Sequence, residues 1–205
     1  MNSRTRSVKT AMADHVERYV GRLCGALHDL PVENLEELGE LLFRAYLNER
    51  QVFTIGNGGS ASTASHIAAD LAKNTIGPNM RRFRITSLND NVSVLTALSN
   101  DLGYEHVFVE QLINLIRPAD VLIVVSASGN SANILRATDY AKSQSAHVVG
   151  LLGFDGGKAA GMVDLPILVP VSHYGAVEDV HLVVNHILVE YFRERIAEAD
   201  PWLMA

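Results

Sequence analysis

The sequence predicts an α/β fold, a three-layer α/β/α sandwich around a parallel, doubly wound sheet, with two N-terminal helices ahead of the first strand. Short apolar runs rich in β-branched residues alternate with helical segments of ten or more residues, which is typical of strands buried on both faces. Two of those runs also end in glycine- and serine-rich turns. We expect one domain over residues 1–205, with an N-terminal helical extension over about residues 1–50.

Apolar residues at helical spacing predict a helix from about Thr10 to Leu30, and Pro31 opens a second one. The predicted strands are Gln51 to Ile55, Arg84 to Leu88, Asp120 to Ser126, His147 to Leu152 and Leu165 to Val169. The other predicted helices are Ser60 to Lys73, those within Val92 to Ile116, Ser131 to Ser143, a short one around Lys158 and a long one from about Ala176 to Glu198.

Composition and charge exclude several classes of protein. The chain has 17 Lys and Arg against 23 Asp and Glu. It therefore lacks the excess of basic residues typical of proteins that bind nucleic acid, and we expect no nucleic-acid partner. Its apolar runs are too short to cross a bilayer, and we expect no membrane partner. The single cysteine, Cys24, excludes an intrachain disulfide and is expected to be a small buried residue. This cysteine usage favours a reducing compartment, and with no apolar h-region after the first ten residues we expect a cytoplasmic location.

The first turn, Gly56-Asn-Gly-Gly-Ser60, joins a predicted strand to a helix. Its glycines permit positive φ angles and close approach of the backbone to a ligand, and Ser60 is predicted to cap the helix. The positive end of a helix favours an anion. Gly56, Gly58 and Ala61 also satisfy a relaxed G-x-G-x-x-A pattern, which leaves a dinucleotide site as an alternative.

The second turn, Ser126-Ala-Ser-Gly-Asn-Ser131, follows another predicted strand. Its three hydroxyls, on Ser126, Ser128 and Ser131, suit a terminal phosphate monoester. Helix capping and turn formation would explain one such loop without a ligand. Since both turns lie at carboxyl ends of parallel strands, where ligands bind, the pair predicts a phosphate-bearing ligand.

Histidines and carboxylates recur on two predicted helices. His66 and Asp70 are four residues apart and share a face, although such a pair is also common on solvated surfaces. Glu178 and His186 are about 12 Å apart along an ideal helix, in a segment whose apolar surroundings require partners for polar groups. Two carboxylates and two imidazoles suit aldose–ketose isomerisation, which needs a base, a proton shuttle and positive charge. They also suit Zn²⁺.

With Ser99-Asn-Asp101 and Gly153-Phe-Asp-Gly-Gly157, these motifs resemble the sugar isomerase (SIS) domain family, and within it the isomerases of sedoheptulose 7-phosphate. The resemblance covers nearly the whole chain and implies an SIS-type sandwich. It implies a sugar phosphate as substrate, converted to a heptose 7-phosphate through an enediol(ate). It also implies a homotetramer with active sites between subunits, which would give the apolar stripes of the N-terminal helices a partner.

By position, the resemblance implies substrate contacts from Asn57, Gly58, Gly59, Ser60, Asn100, Asp101, Ser126, Ala127, Ser128 and Ser131. It implies one zinc ion per subunit, bound by His66, Asp70, Glu178 and His186. Asp70 would be the proton-abstracting base and His186 its acid partner, with Glu178 completing the catalytic set.

Two positions depart from the family pattern. Asp70 stands where the family usually has glutamate, and Glu178 where it usually has glutamine. The shorter Asp70 reaches less far, whereas Glu178 adds a negative charge that should strengthen binding of a divalent metal. We interpret the departures as a change of substrate within phosphosugar isomerisation. The alternatives are an isomerase for another ketose phosphate, and a non-catalytic regulatory protein similar to the replication-initiator associating factor.

Overall fold

Five parallel strands form the centre of the structure, a computed structural model that describes residues 5–77 and 81–199. The strands are β1 Gln51–Gly56, β2 Arg84–Ser87, β3 Val121–Ser126, β4 His147–Gly153 and β5 Leu165–Val169. The helices are α1 Thr5–His28, α2 Val32–Leu47, α3 Gly59–Lys73, α4 Val92–Leu102, α5 Val109–Leu115, α6 Ala132–Ser143, α7 Gly157–Ala160 and α8 Tyr174–Ala199, with a 3-10 turn at Tyr104–His106. Every predicted strand and helix is present, with ends that differ by a few residues.

The order of the strands places the two turns side by side. The sheet has the order β2-β1-β3-β4-β5 with parallel pairing throughout, so the chain moves outward from β1 to β2 and then returns past β1 to β3. Gly56 at the end of β1 is aligned with Val125 near the end of β3. Both turns therefore leave the sheet at the point where its winding reverses, which is the usual ligand site of an open α/β sheet.

Strand β3 separates two helical layers. Val121, Ile123 and Val125 belong to an apolar core that includes side chains of α2, α3 and α8. Leu122 and Val124 point to a second core, formed with α5 and α6. Alternate residues of one strand thus pack against opposite layers, and the predicted three-layer α/β/α sandwich is confirmed.

The N-terminal helices differ in how they are covered. Helix α2 buries Leu38 and Leu42 in the first core, whereas α1 packs along α8 and leaves Met12, Val16 and Val20 exposed at intervals of four residues. Cys24 continues this stripe and is exposed, so its predicted burial is wrong for a single copy of the chain. No helix within the described ranges is long and apolar enough to span a bilayer.

Candidate active site

The turn after β1 presents the start of α3. Gly58 is the N-cap residue and has φ 57° and ψ −124°, a conformation that glycine adopts without the strain of a side chain. Because glycine has no side chain, the N-cap residue forms no side-chain bond to the first N–H groups of α3. Ser60 lies within the helix and is buried, so the predicted capping role of Ser60 is wrong. The positive end of α3 therefore faces the reversal point of the sheet.

The turn after β3 presents hydroxyl groups at the start of α6. The Oγ of Ser126 accepts a hydrogen bond from the backbone N–H of Gly129 at 3.1 Å, and the Oγ of Ser128 accepts one from the N–H of Asn130 at 3.4 Å. Each hydroxyl that accepts a bond keeps its own O–H to donate. Ser131 is the N-cap residue of α6, and its side chain makes no capping bond. One short turn thus carries three hydroxyl groups and ends at a helix N-terminus, a combination suited to an anion.

The second turn rests on the loop between β4 and α7. Gly129 has φ 60°, and a methyl group there would overlap the carbonyl oxygen of Gly156. The carbonyl of Gly129 accepts a bond from the N–H of Ala159 at 2.9 Å, and the Oδ1 of Asn130 accepts one from the N–H of Lys158 at 3.2 Å. The glycine motif at 153–157 therefore supports the shape of the serine turn.

A reciprocal amide pair joins the turn after β1 to α6, the helix that follows the turn after β3. The Nδ2 of Asn57 donates to the Oδ1 of Asn133 at 2.9 Å, and the Nδ2 of Asn133 donates back to the Oδ1 of Asn57 at 2.9 Å. The hydroxyl of Tyr104 also donates to the Oδ1 of Asn57, at 2.8 Å. The side chain of Asn57 thus holds the turns together, a role that its prediction as a substrate contact did not include.

The imidazole–carboxylate cluster consists of His66 and Asp70 on α3 and His186 on α8. The Nε2 of His66 lies 3.1 Å from the Oδ2 of Asp70, and the Nε2 of His186 lies 3.8 Å from the same oxygen. The side chain of Asp70 is 14% exposed, against 44% for His66 and 54% for His186. A largely covered carboxylate therefore faces two accessible imidazole rings.

The cluster fits a zinc ion by its donor set and spacing. The three ligand atoms all lie within 4.8 Å of one another. Tetrahedral zinc with bonds of about 2.0–2.2 Å requires ligand atoms roughly 3.3 Å apart, close to the observed 3.1 and 3.8 Å. Imidazole nitrogens and a carboxylate oxygen are also ligands that zinc commonly takes in proteins.

Two amide groups hold the carboxylate of Asp70 in place. The Nδ2 of Asn74 donates to Oδ1 at 2.8 Å, and the Nδ2 of Asn185 donates to Oδ2, also at 2.8 Å. Asn74 is the C-cap residue of α3, four residues after Asp70, and Asn185 precedes His186 on α8. Each carboxylate oxygen therefore accepts a bond from a separate amide, one at the end of α3 and one on α8.

Glu178 lies apart from the other three predicted ligands within one chain. Its carboxylate packs against Gly59 at the start of α3, where a side chain in place of the glycine hydrogen would overlap it. His186 is eight residues further along α8, about 12 Å away along the helix axis. The structure thus brings His66, Asp70 and His186 together, but it does not bring Glu178 to them. The negative charge of Glu178 is instead at the positive end of α3.

Comparison with known proteins identifies the family. Residues 17–153 match the SIS domain. The chain belongs to the SIS domain family. It is 38% identical to the phosphoheptose isomerase of Nitratiruptor sp. over 154 residues, 75% of this chain and 82% of the relative. It is also 38% identical to the phosphoheptose isomerase of Geotalea daltonii over 157 residues, 77% of this chain and 81% of the relative.

A solved SIS domain structure agrees with the fold. The phosphoheptose isomerase from Neisseria gonorrhoeae superimposes with a TM-score of 0.82 at 31% sequence identity, covering 91% of this chain and 99% of that chain. The resemblance inferred from the two turns and the histidine and carboxylate motifs is thereby confirmed at the level of the family and of the fold.

Three other predicted substrate-contact residues lie outside the imidazole–carboxylate cluster. Asn100 and Asp101 are exposed at the end of α4, where the Nδ2 of Asn100 donates to the Oδ1 of Asp101 at 2.8 Å. Ala127 is buried beside Ser126, and its carbonyl oxygen lies close to Gly153. Their contacts with substrate stay predictions.

A histidine of α8 lies apart from the cluster and is neutral at pH 7. His181 is fully buried, and burial lowers its pKa to about 4. It does not belong to the imidazole–carboxylate cluster. His181 shares with Glu178 and His186 a polar side chain in an apolar helix, but their positions on α8 give the three residues different environments.

Proposed function

We propose that the chain is an aldose–ketose isomerase that converts sedoheptulose 7-phosphate to a heptose 7-phosphate. The observation that carries the proposal is the Asp70 carboxylate, held by two amides and facing two imidazoles, on the helix that opens at one of the paired ligand turns. The sequence relatives that are phosphoheptose isomerases support the choice of substrate.

The serine turn is proposed to bind the phosphate. The hydroxyls of Ser126, Ser128 and Ser131 donate to its oxygens, and the N-terminus of α6 offers backbone N–H groups and a favourable dipole. Gly58, Gly59 and Ser60 border the sugar at the start of α3, and Asn100 and Asp101 bind its hydroxyls.

Asp70 and His186 are proposed to move the protons. Asp70 removes a proton from C1 of the ketose, which produces the enediol(ate), and returns a proton to C2. His186 transfers the hydroxyl proton from O1 to O2. His66, Asp70 and His186 would hold zinc, which supplies a Lewis acid for the sugar oxygens when it is bound.

A homotetramer with active sites between subunits is proposed to complete the ligand set. Within one chain Glu178 is remote from the imidazole–carboxylate cluster, so we assign the fourth ligand to Glu178 of the partner subunit. The exposed apolar stripe of Met12, Val16 and Val20 on α1 supports self-association. Val16→Glu combined with Val20→Glu should lower the mass measured by light scattering. The proposed compartment is the cytoplasm.

Turnover of a panel of ketose phosphates tests the function. The metal-loaded protein is incubated with five-, six- and seven-carbon ketose phosphates, and aldose formation is followed by NMR. We expect the highest kcat/KM with sedoheptulose 7-phosphate. A higher kcat/KM with a shorter sugar would favour an isomerase for another ketose phosphate. This is the second candidate function because the side chain of Asp70 is shorter than the glutamate usual in the family. Absence of turnover with every sugar, despite binding, would favour a regulatory protein.

A further inference from the structure

Asn185 has an unusual environment for an amide. It lies on α8 and is fully buried, with the apolar Val184 before it in the sequence. Its Nδ2 donates to the Oδ2 of Asp70 at 2.8 Å. Its Oδ1 is buried without a hydrogen-bond partner among the described residues.

Stability alone does not account for this residue. A buried carbonyl oxygen without a partner has lost its bonds to water and gained none in return, which disfavours the folded state. Leucine has nearly the same shape and would fill the site without that loss. The half-satisfied amide is therefore retained for its one bond, the bond to Asp70.

We propose that Asn185 is a positioning residue that orients the carboxylate of Asp70 for metal binding and proton transfer, an inference that rests on the proposed function of the cluster. Asn74 holds Oδ1 and Asn185 holds Oδ2. With both oxygens held, Oδ2 is the one that faces His66 and His186.

The direction of the amide agrees with this role. If the amide were rotated by half a turn, its carbonyl oxygen would face the carboxylate, and two acceptors would repel each other. The observed orientation places an N–H donor on the oxygen nearest to both imidazoles. Such hydrogen bonds to a metal-binding carboxylate orient it and tune its affinity. The shorter side chain of Asp70 is thus held at the position from which it meets both rings.

Zinc affinity of the Asn185→Leu variant tests the proposal. Metal-free protein is titrated with Zn²⁺ against a chromophoric chelator, with no sugar present. We expect the variant to bind zinc about 10–100-fold more weakly, while its resistance to urea is unchanged or higher. With substrate, kcat should fall and KM should change little, because Asn185 is fully buried and inaccessible to a ligand.

Val184→Ala is the matched control. Val184 is also fully buried on α8, but it is apolar and has no bond to Asp70. This variant should lose resistance to urea and keep the zinc affinity of the natural protein. If Asn185→Leu does not fold, Asn185→Ala is measured in the same way, since a smaller side chain introduces no new contact.

Three results would overturn the proposal: unchanged zinc affinity in the folded Asn185 variants, an equal loss of affinity in Val184→Ala, or no measurable zinc binding by the natural protein. Because the titration contains no sugar, its outcome is independent of turnover. Weaker zinc binding in Asn185→Leu, combined with no turnover of any ketose phosphate by the natural protein, would refute the isomerase and leave the positioning role supported.

Discussion

Asn57 and Asn133 exchange two side-chain hydrogen bonds of 2.9 Å each. The pair links the turn after β1 to the helix that follows the turn after β3, so the two halves of the candidate site share one rigid connection. Asn133 is almost fully buried, and its Oδ1 also accepts a bond from the N–H of Ile134.

Asn133→Leu should destabilise the fold and weaken substrate binding. It leaves the Nδ2 of Asn57 and the buried N–H of Ile134 without an acceptor, while the Oδ1 of Asn57 keeps its bond from Tyr104. An unpaired buried group costs about 1–3 kcal/mol. Urea unfolding and the KM for the sugar phosphate measure the two effects. Asn114→Ala, at an exposed position with one long bond of 3.5 Å to Glu110, is the control. Equal stability of both variants would contradict the role of the pair.

Gly129→Ala should impair phosphate binding. Its φ of 60° and the overlap of a methyl group with the carbonyl oxygen of Gly156 force the serine turn to shift. Loss of a hydrogen bond to a charged group, at about 1.5–3 kcal/mol, corresponds to a rise in KM of about 10-fold or more. Gly161→Ala is the matched control, because a methyl group there has 3.9 Å to the nearest atom. Similar KM values for the two variants would refute the phosphate role of the turn.

His181 should make the fold sensitive to mild acid. Its pKa is about 4 in the folded state and about 6.5 when unfolded. As the pH falls, His181 is therefore protonated in the unfolded chain before it is protonated in the folded chain. The contribution of His181 to the free energy of unfolding is fully present above pH 6.5. It decreases as the pH falls toward 4, with a loss of about 2 kcal/mol at pH 5.

Urea unfolding of metal-free protein at pH 7.5 and pH 5 measures this loss. In His181→Leu the difference between the two pH values should shrink by that amount, since the other titrating groups are common to both proteins. An identical pH dependence in the variant and the natural protein would show that His181 is protonated as easily in the fold as outside it.

Mixed oligomers should reveal whether Glu178 acts across subunits. Asp70→Asn and Glu178→Ala are expected to be nearly inactive alone. When the two are co-expressed with different tags and purified through both, sites that combine an intact Asp70 with an intact Glu178 from the other variant should recover activity. Activity no greater than that of the separate variants would refute the role of Glu178 across subunits.

Much of the fold was predictable because its signals are local. The apolar strands, the helical spacing and the two small-residue turns each occupy a continuous stretch, and the positions of β1, α3, β3 and α6 were predicted from them. The order of the strands was not predictable in the same way, since it depends on packing between distant segments. That order is what makes the two turns neighbours.

The candidate site was predicted only in part. His66 and Asp70 lie on one helix, so their spacing of four residues was enough to predict that they face each other. The roles of Asn133 and Asn185 were not predicted, because each amide bonds to a residue from another element. The sequence alone does not show which distant residue an amide on a buried helix face will meet. For Glu178 the sequence did hold a signal, since its separation of eight residues from His186 on one helix is too long for one metal ion to bridge.

The fate of the proton at C1 of the sugar tests the central claim most directly. Sedoheptulose 7-phosphate is incubated in D₂O with the natural protein or with Asp70→Asn, and deuterium at C2 of the aldose is measured by NMR and mass spectrometry. The carboxylate mechanism predicts solvent deuterium at C2 with the natural protein and a rate about 10²–10⁴-fold lower with Asp70→Asn. Equal rates of product formation by the two proteins would contradict it.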